Sequence, residues 1–377
     1  MQMKDITEVS VLYHGAIVGR LRMIKGKCVF EYDKSWLAEG FSISPLELPL
    51  KEELFVAGET STLGNFGVFN DSIPDGYGLY LINKMLRLHG LSIWNLSQLQ
   101  LLSIVGSSGM GALEYRPQID FIPHQDRKDV SDYEELQRKA WDVLSEKDES
   151  SASLLYYNSG NSGGARPKVV LSDKDNRHWI VKFRHLSDPE DLGKTEFEYM
   201  KTAERCGIKI PEVKLVEGKY FATERFDISK DGIRLHTSTA AGLLGVDFRA
   251  QTADYSNLLA LTGYLTQDPA QVEQMFRLMV FNIVSINKDD HSKNFSFIYR
   301  EPSGWELAPA YDLTYSPEGT RGEHSTSIMF KGNPSLDEVL KAGTGIRISK
   351  NRCLDIVGEI QTICAQHLEH TVKLLDY

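Results

Sequence analysis

The sequence predicts an α+β fold, with strands in two clusters and helices taking over toward the C-terminus. Three stretches carry this expectation. VSVLYHGAIVGRL (9–21) alternates apolar and polar residues around His14-Gly15, a hairpin signal. PKVVLSD (167–173) and HWIVKF (178–183) are apolar strand-like runs separated by the turn-forming DKDN (173–176). From about residue 230 the pattern becomes mainly helical, with a run at 269–286 apolar on most sides and therefore buried.

The remaining elements follow in order. CVFEYD (28–33) adds a strand. PDGYGLYLINKMLRLHG (74–90) reads as a helix, with Pro74 near its start and Gly90 past its end, and a second helix covers 97–105. Residues 117–130 are polar, contain two prolines and read as a linker; 132–147 is an amphipathic helix. TEFEYMKTAERCGI (195–208) is helical, VKLVEGKYFATERFD (213–227) holds two strands around Glu217-Gly218, and 351–374 closes the chain as a helix. This organisation divides at residues 1–125 (an N-terminal α+β subdomain), 126–226 (a β-rich lobe with a Gly-rich loop) and 227–377 (a mainly helical lobe).

Bulk properties narrow the function classes. The 377 residues include 42 basic and 52 acidic ones, a net charge of −10, which argues against strong non-specific nucleic-acid binding by this chain alone. No apolar run approaches the roughly 20 residues of a membrane span, and MQMKDITEVS lacks the apolar core of a secretory signal, so a cytoplasmic protein is expected. Four scattered cysteines form no zinc pattern and read as reduced thiols.

The densest chemistry lies in INKDDHSKNFSF (286–297). NFSFIYR and WELAPAY, joined by a turn at 301–304, form a hairpin expected to set residue 295 opposite 310. Asn294 and Asp312 then share the open end of that hairpin, and Asp289 lies five residues upstream of Asn294. This set suits phosphoryl transfer, with Asp289 as base and Asn294 and Asp312 as oxygen ligands of Mg²⁺. The spacing D-x-x-x-x-N is that of a kinase catalytic loop, and Asp312 takes the place of the metal-binding Asp of D-F-G. Asn287-Lys288 stand where many kinases have His-Arg, and Leu313-Thr314 replace Phe-Gly. Asp290 and His291 read as loop bracing. Upstream, SGNSGGARPK (159–168) offers backbone N–H groups to phosphates, though Ser/Gly runs also serve as linkers. Lys182 ends an apolar strand, where pairing with phosphates or pointing to water are both open. Glu196, at the start of the next helix, is a partner for Lys182 or for the metal, or simply complements the helix dipole. Glu224 and Phe226, in ATERFD, are candidates to meet a nucleotide base.

In this order the motifs resemble the HipA family of serine/threonine protein kinases, the toxins of HipA/HipB toxin–antitoxin modules. NKDDHSKNFSF resembles the family's catalytic loop, GGARPK its phosphate loop, WIVKF its lysine strand, TERFD its hinge and AYDL its metal site. RLH (234–236), FGVFNDSIPDGYG (66–78) and GSSGMGALEY (106–115) extend the resemblance over nearly the whole chain. The resemblance implies a bilobal protein-kinase-like fold with an additional N-terminal subdomain, and ATP and Mg²⁺ as cofactors. It implies nucleotide contacts from Gly163, Gly164, Ala165, Lys168, Lys182, Glu224 and Phe226. It also implies autophosphorylation near the Gly-rich loop, at Ser162 or Ser159, and a HipB-like antitoxin through which DNA is reached. The implied substrate is a protein, such as an aminoacyl-tRNA synthetase. HTSTAAGLLG (236–245) lacks the Gln-Glu-Asp chemistry of some members and marks a divergent branch. Two readings from other classes stand beside this one. One is a catalytically inactive, nucleotide-binding module that regulates a DNA-bound antitoxin; the other is a metal hydrolase built on Asp289, Asp290 and His291.

Overall fold

The structure is a computed structural model that describes residues 5–58, 64–119, 132–159, 163–250, 253–370 and 372–375. The chain divides into two compact units, Met1–Glu190 with Asp227–Thr237 and Gly242–Gly245, and Asp191–Phe226 with Ser238–Ala241 and Val246–Tyr377.

The first unit opens with an antiparallel sheet of five strands: β1 (Glu8–Tyr13), β2 (Ala16–Ile24), β3 (Lys27–Tyr32), β4 (Phe55–Val56) and β5 (Leu113–Arg116), in the order β4-β3-β2-β1-β5. His14-Gly15 and Lys25-Gly26 both turn with positive φ at each residue, the two-residue geometry whose twist suits a hairpin. Alternation sends Val9 and Val11 of β1 into the core, where Leu21 pairs with Val9, and Val18 is buried beside the register shift between Val11 and Leu12. Short helices α1 (Lys34–Glu39) and α2 (Gly67–Ser72) follow β3 and β4. Helix α3 (Gly76–Leu88) repeats Tyr77, Leu81, Ile82, Met85 and Leu86 on one face. That face joins residues of α4 (Gln98–Val105), α5 (Tyr133–Leu144) and α6 (Ala152–Ser159) in a second core. Lys84 lies inside α3 with 1% of its surface exposed, and ion pairs of 2.6 Å to both Glu146 and Glu149 compensate its buried charge. The unit's last strands, β6 (Lys168–Ser172) and β7 (His178–Lys182), form the hairpin expected around DKDN.

Residues 227–237 belong to this unit although they follow it by 36 residues, and two charged side chains tie them in. The Asp227 carboxylate is fully buried and accepts from the Gly111 N–H at 2.8 Å. Arg234 donates to the carbonyls of Gly111 and Ser107, both at 2.6 Å, and to that of Gly109.

The second unit contains α7 (Leu192–Arg205) and the hairpin of β8 (Val213–Val216) and β9 (Tyr220–Glu224). After β10 (His236–Thr239) and α8 (Ala240–Leu244), the chain forms α9 (Tyr255–Thr266) and α10 (Pro269–Val284). Pro269 and the cap Asp268 start α10, and eleven of its sixteen residues are buried, as its apolar sequence predicts. The hairpin of β11 (Ser296–Arg300) and β12 (Gly304–Leu307) follows, then α11 (Leu336–Gly345) and α12 (Lys350–His367).

Several boundaries differ from expectation. The closing helix ends at His367 rather than 374, because the tail folds back: the Lys373 N–H reaches the Val284 carbonyl at 2.8 Å and the Leu375 N–H reaches Gln361 at 2.9 Å. Helix α7 begins three residues before 195 and α6 runs up to the Gly-rich stretch. The β11–β12 register is shifted by one residue. Arg300 pairs with Gly304 and Phe297 with Leu307, so 295 projects toward 309 and not 310. Gly304, expected in the turn, takes φ +84 and is already the first residue of β12. The linker expected over 117–130 lies largely outside the described residues.

Candidate active site

The second unit carries the acids. Just beyond α10, past its cap Ser285, Ile286 takes φ +58, a left-handed conformation that a β-branched residue adopts only at a cost of about 1–3 kcal/mol. The strained residue is held between Ser316 and the helix, since the Ser316 N–H donates to its carbonyl at 3.1 Å and the Lys288 N–H returns to Ser316 at 3.0 Å. This abrupt exit sends Asp289 to the surface and turns Asp290 inward, where 1% of it is exposed. Five residues on, the Asn294 side-chain NH₂ donates to the Asp289 carbonyl at 2.7 Å. That bond fixes the amide's orientation and leaves its oxygen as the end able to meet a cation. Tyr311 sets the far side: its hydroxyl donates to the Lys293 carbonyl at 2.6 Å and lies 2.6 Å from the Ser296 hydroxyl. Asp312 follows immediately at φ +58, a second backbone outlier at the candidate site. An amide oxygen and a carboxylate make a hard-oxygen set that fits Mg²⁺.

The two adjacent acids have different surroundings. Asp290 Oδ2 accepts from the Tyr255 hydroxyl and faces His324 Nδ1, both at 2.9 Å, while Oδ1 accepts from the Thr326 N–H at 3.2 Å. The chain extends through Asn282, which donates to Tyr255 at 2.8 Å and accepts from Asn287 at 3.0 Å. Burial first, and then the charge of Asp290, push the Tyr255 phenol well above its ordinary range, so it remains a neutral donor. Asp290 therefore anchors the loop from beneath and ties it to residues 324–326. His291 packs its ring 5.0 Å from Phe248, over which Arg249 and Lys293 also lie. Among the described residues no group of three or more His, Cys, Asp and Glu side chains is arranged to hold a metal.

Phe226 places its ring 5.4 Å from that of Tyr311, at the foot of the same hairpin, and the Glu224 N–H donates to the Glu212 carbonyl at 2.8 Å. Glu196 is a carboxylate only 5% exposed on α7.

The first unit carries the cations. In the β6–β7 hairpin Lys168 stands directly opposite Lys182, which puts both side chains on one face. Like charges so placed repel unless an anion or acidic neighbours offset them. Lys168 is 6% exposed and donates to the Gly163 carbonyl, so the strand lysine also supports the Gly-rich loop. Gly163, Gly164 and Ala165 are exposed. Ser159 is not, for its hydroxyl is buried and donates to the Tyr156 carbonyl at 3.1 Å. Ser162 lies outside the described residues. The lysine pairing was beyond reach of sequence inspection, because it depends on strand register.

Residues 160–368 match the HipA-like C-terminal domain and residues 9–116 the HipA N-terminal domain. A kinase candidate of Sinorhizobium fredii, Y4dM, is 27% identical over 48% of this chain, and the chain spans about half of that relative (49%). The serine/threonine-protein kinase toxin HipA of Shewanella oneidensis is 27% identical over 75% of this chain and 68% of its own length. Among solved structures, Shewanella oneidensis HipA, determined with HipB and operator DNA, aligns over 96% of this chain and 89% of its own with a TM-score of 0.70 and 20% identity. That likeness bears out the expected α+β, kinase-like architecture. With a C-terminal domain match that alone covers more than half of its residues, the chain belongs to the HipA family.

Proposed function

We propose that the chain is an ATP- and Mg²⁺-dependent serine/threonine protein kinase that acts as the toxin of a two-protein module. The observation that carries this reading is the bond from Asn294 to the Asp289 carbonyl, which presents an exposed carboxylate and an oriented amide oxygen on one short loop. Asp289 would accept the proton of the attacking hydroxyl. Asn294 and Asp312 would hold Mg²⁺, which when bound neutralises charge on the nucleotide phosphates. The paired Lys168 and Lys182, with the backbone N–H groups of Gly163 and Ala165, would bind those phosphates, and Gly164, whose own N–H is taken by Asp75, would line them. Glu224 and Phe226 would meet the adenine, and Glu196 would orient the phosphate-binding lysine.

The substrate in this reading is a hydroxyl of a protein, with a translation component such as an aminoacyl-tRNA synthetase as the first candidate. Autophosphorylation would fall near the Gly-rich loop; Ser162 is the favoured acceptor, since the buried Ser159 hydroxyl would first require the end of α6 to open. A HipB-like antitoxin is the proposed partner, supported by the family membership and by the HipB found with the Shewanella protein. A net charge of −10 suits a chain that reaches DNA only through that partner, in the cytoplasm.

Incubation of the purified protein with Mg-ATP, followed by mass spectrometry, should reveal a phosphoserine that Asp289→Asn lacks. Its persistence in Asp289→Asn protein made without an active copy would overturn the assignment of the base. ATP binding with no transfer to itself, to the antitoxin or to any synthetase would favour the inactive nucleotide-binding module instead.

A further inference from the structure

Asp75 occupies the cap position of α3, from which an aspartate ordinarily accepts hydrogen bonds from its own helix. It makes no such capping bond. Its Oδ1 instead accepts from the Gly164 N–H at 2.8 Å, 89 residues further along the chain. The Gly164 carbonyl in turn accepts from the Tyr77 N–H at 3.0 Å, one of the donors that a helix start leaves open. The helix and the Gly-rich loop thus satisfy each other: the cap residue is spent on the loop, and the loop caps the helix.

The glycines show how close this approach is. A Cβ at Gly76, which has φ +46, would stand 2.5 Å from the Gly164 oxygen and 2.9 Å from Ala165 Cα. One at Gly163 would lie 3.2 Å from Asp75 Oδ1, and one at Gly164, at φ +95, would lie 2.7 Å from Lys168 Nζ. Asp75 itself is 9% exposed. The loop is therefore gripped from two sides, by a carboxylate on the Gly164 N–H and by the Lys168 ammonium on the Gly163 carbonyl.

We propose that Asp75 is a positioning residue for the nucleotide site, holding Gly163–Ala165 in the arrangement that receives phosphates. The proposal rests on the kinase reading given above. Asp75 acts on the loop and not on reacting atoms, so its loss raises KM for ATP and leaves kcat nearly unchanged. A charge-assisted bond to a backbone N–H, together with the return bond from Tyr77, corresponds to roughly a tenfold change.

The test compares full-length wild-type, Asp75→Ala and Asp75→Asn proteins by hydrogen–deuterium exchange and by Mg-ATP titration. Asp75→Ala should speed exchange at the Gly164 and Tyr77 amides and raise the Kd and KM for Mg-ATP about tenfold. Asp75→Asn keeps an acceptor oxygen and should restore most of both. Should Asp75→Ala fail to fold, Gly163→Ala crowds the same contact from the loop side and should show the same faster exchange. Unchanged amide exchange in Asp75→Ala, or an Asp75→Asn as impaired as Asp75→Ala, overturns the proposal. A wild-type protein that binds no Mg-ATP would instead overturn the kinase reading, while the exchange data still decide whether Asp75 holds the loop.

Discussion

Neighbouring acids in one loop should respond to substitution in opposite ways. Asp290→Ala removes the partner of three donors, Tyr255 Oη, His324 Nδ1 and the Thr326 N–H, and all three residues are at most 3% exposed. An orphaned buried donor costs about 1–3 kcal/mol, and breaking a buried charged network typically costs 3–5 kcal/mol once the surroundings relax. Asp290→Ala is therefore expected to destabilise the second unit by about 3–5 kcal/mol, a large share of the 5–15 kcal/mol typical of a whole domain. Asp290→Asn keeps the volume and one acceptor and should fall in between. Asp289→Asn alters an exposed side chain and should leave the unfolding midpoint where it was, while abolishing phosphoryl transfer. Urea titrations of the three variants followed by circular dichroism, with transfer from ATP measured in parallel, make the comparison. A loss below about 1 kcal/mol for Asp290→Ala, or an equal loss for Asp289→Asn, would refute the division of labour.

Two further predictions concern stability. His236 is buried with its Nε2 2.8 Å from the Ile43 carbonyl, and burial pulls its pKa down to about 4 from 6.5. The unfolded chain takes up this proton first, so the stability His236 contributes is whole above pH 6.5 and is lost as pH falls through 4, on the order of 3 kcal/mol in all. Glu47, which burial pushes up to about 7 against the Gly67 N–H bond, works in the opposite sense, its contribution being lost as pH rises through 7. The difference in unfolding free energy between wild type and His236→Gln across pH 4 to 7.5 isolates the histidine; a flat difference would contradict its buried neutral state. The second prediction concerns Met329-Phe330, which turn a two-residue hairpin between Ile328 and Lys331 with φ of 50 and 63, although Phe330 is 90% exposed. Asn-Gly suits this turn far better, so Met329→Asn with Phe330→Gly should raise stability by about 1–3 kcal/mol in denaturant titrations. No gain would mean that the positive φ values carry no strain.

The sequence made strands, helices and the closeness of Asn294 to Asp289 readable because each depends on local period or on short separation. Asp289, Asn294 and Asp312 fall within 24 positions, and the hairpin between them is announced by its own turn. What stayed hidden depends on register and on distant partners. The Lys168–Lys182 pair needs the β6–β7 alignment, and the one-residue slip in β11–β12 arose from one glycine that could sit in the turn or start the strand. Asp75 looks like an ordinary helix cap until its carboxylate is seen on Gly164. His324 and Tyr255 reach Asp290 across 34 and 35 residues, separations over which no periodicity is informative.

The grip of Asp227 and Arg234 on the loop 107–111 has a bearing on how such chains can be divided or recombined. The first unit is not one continuous length of polypeptide. A cut after residue 190 would leave the carbonyls of Ser107, Gly109 and Gly111 without the guanidinium that gathers them, and would strand a buried aspartate on the other piece. An exchange of halves between relatives at that point would bring together a loop and an arginine segment that had never matched each other. The two units are consequently expected to be inherited, and to fail, together.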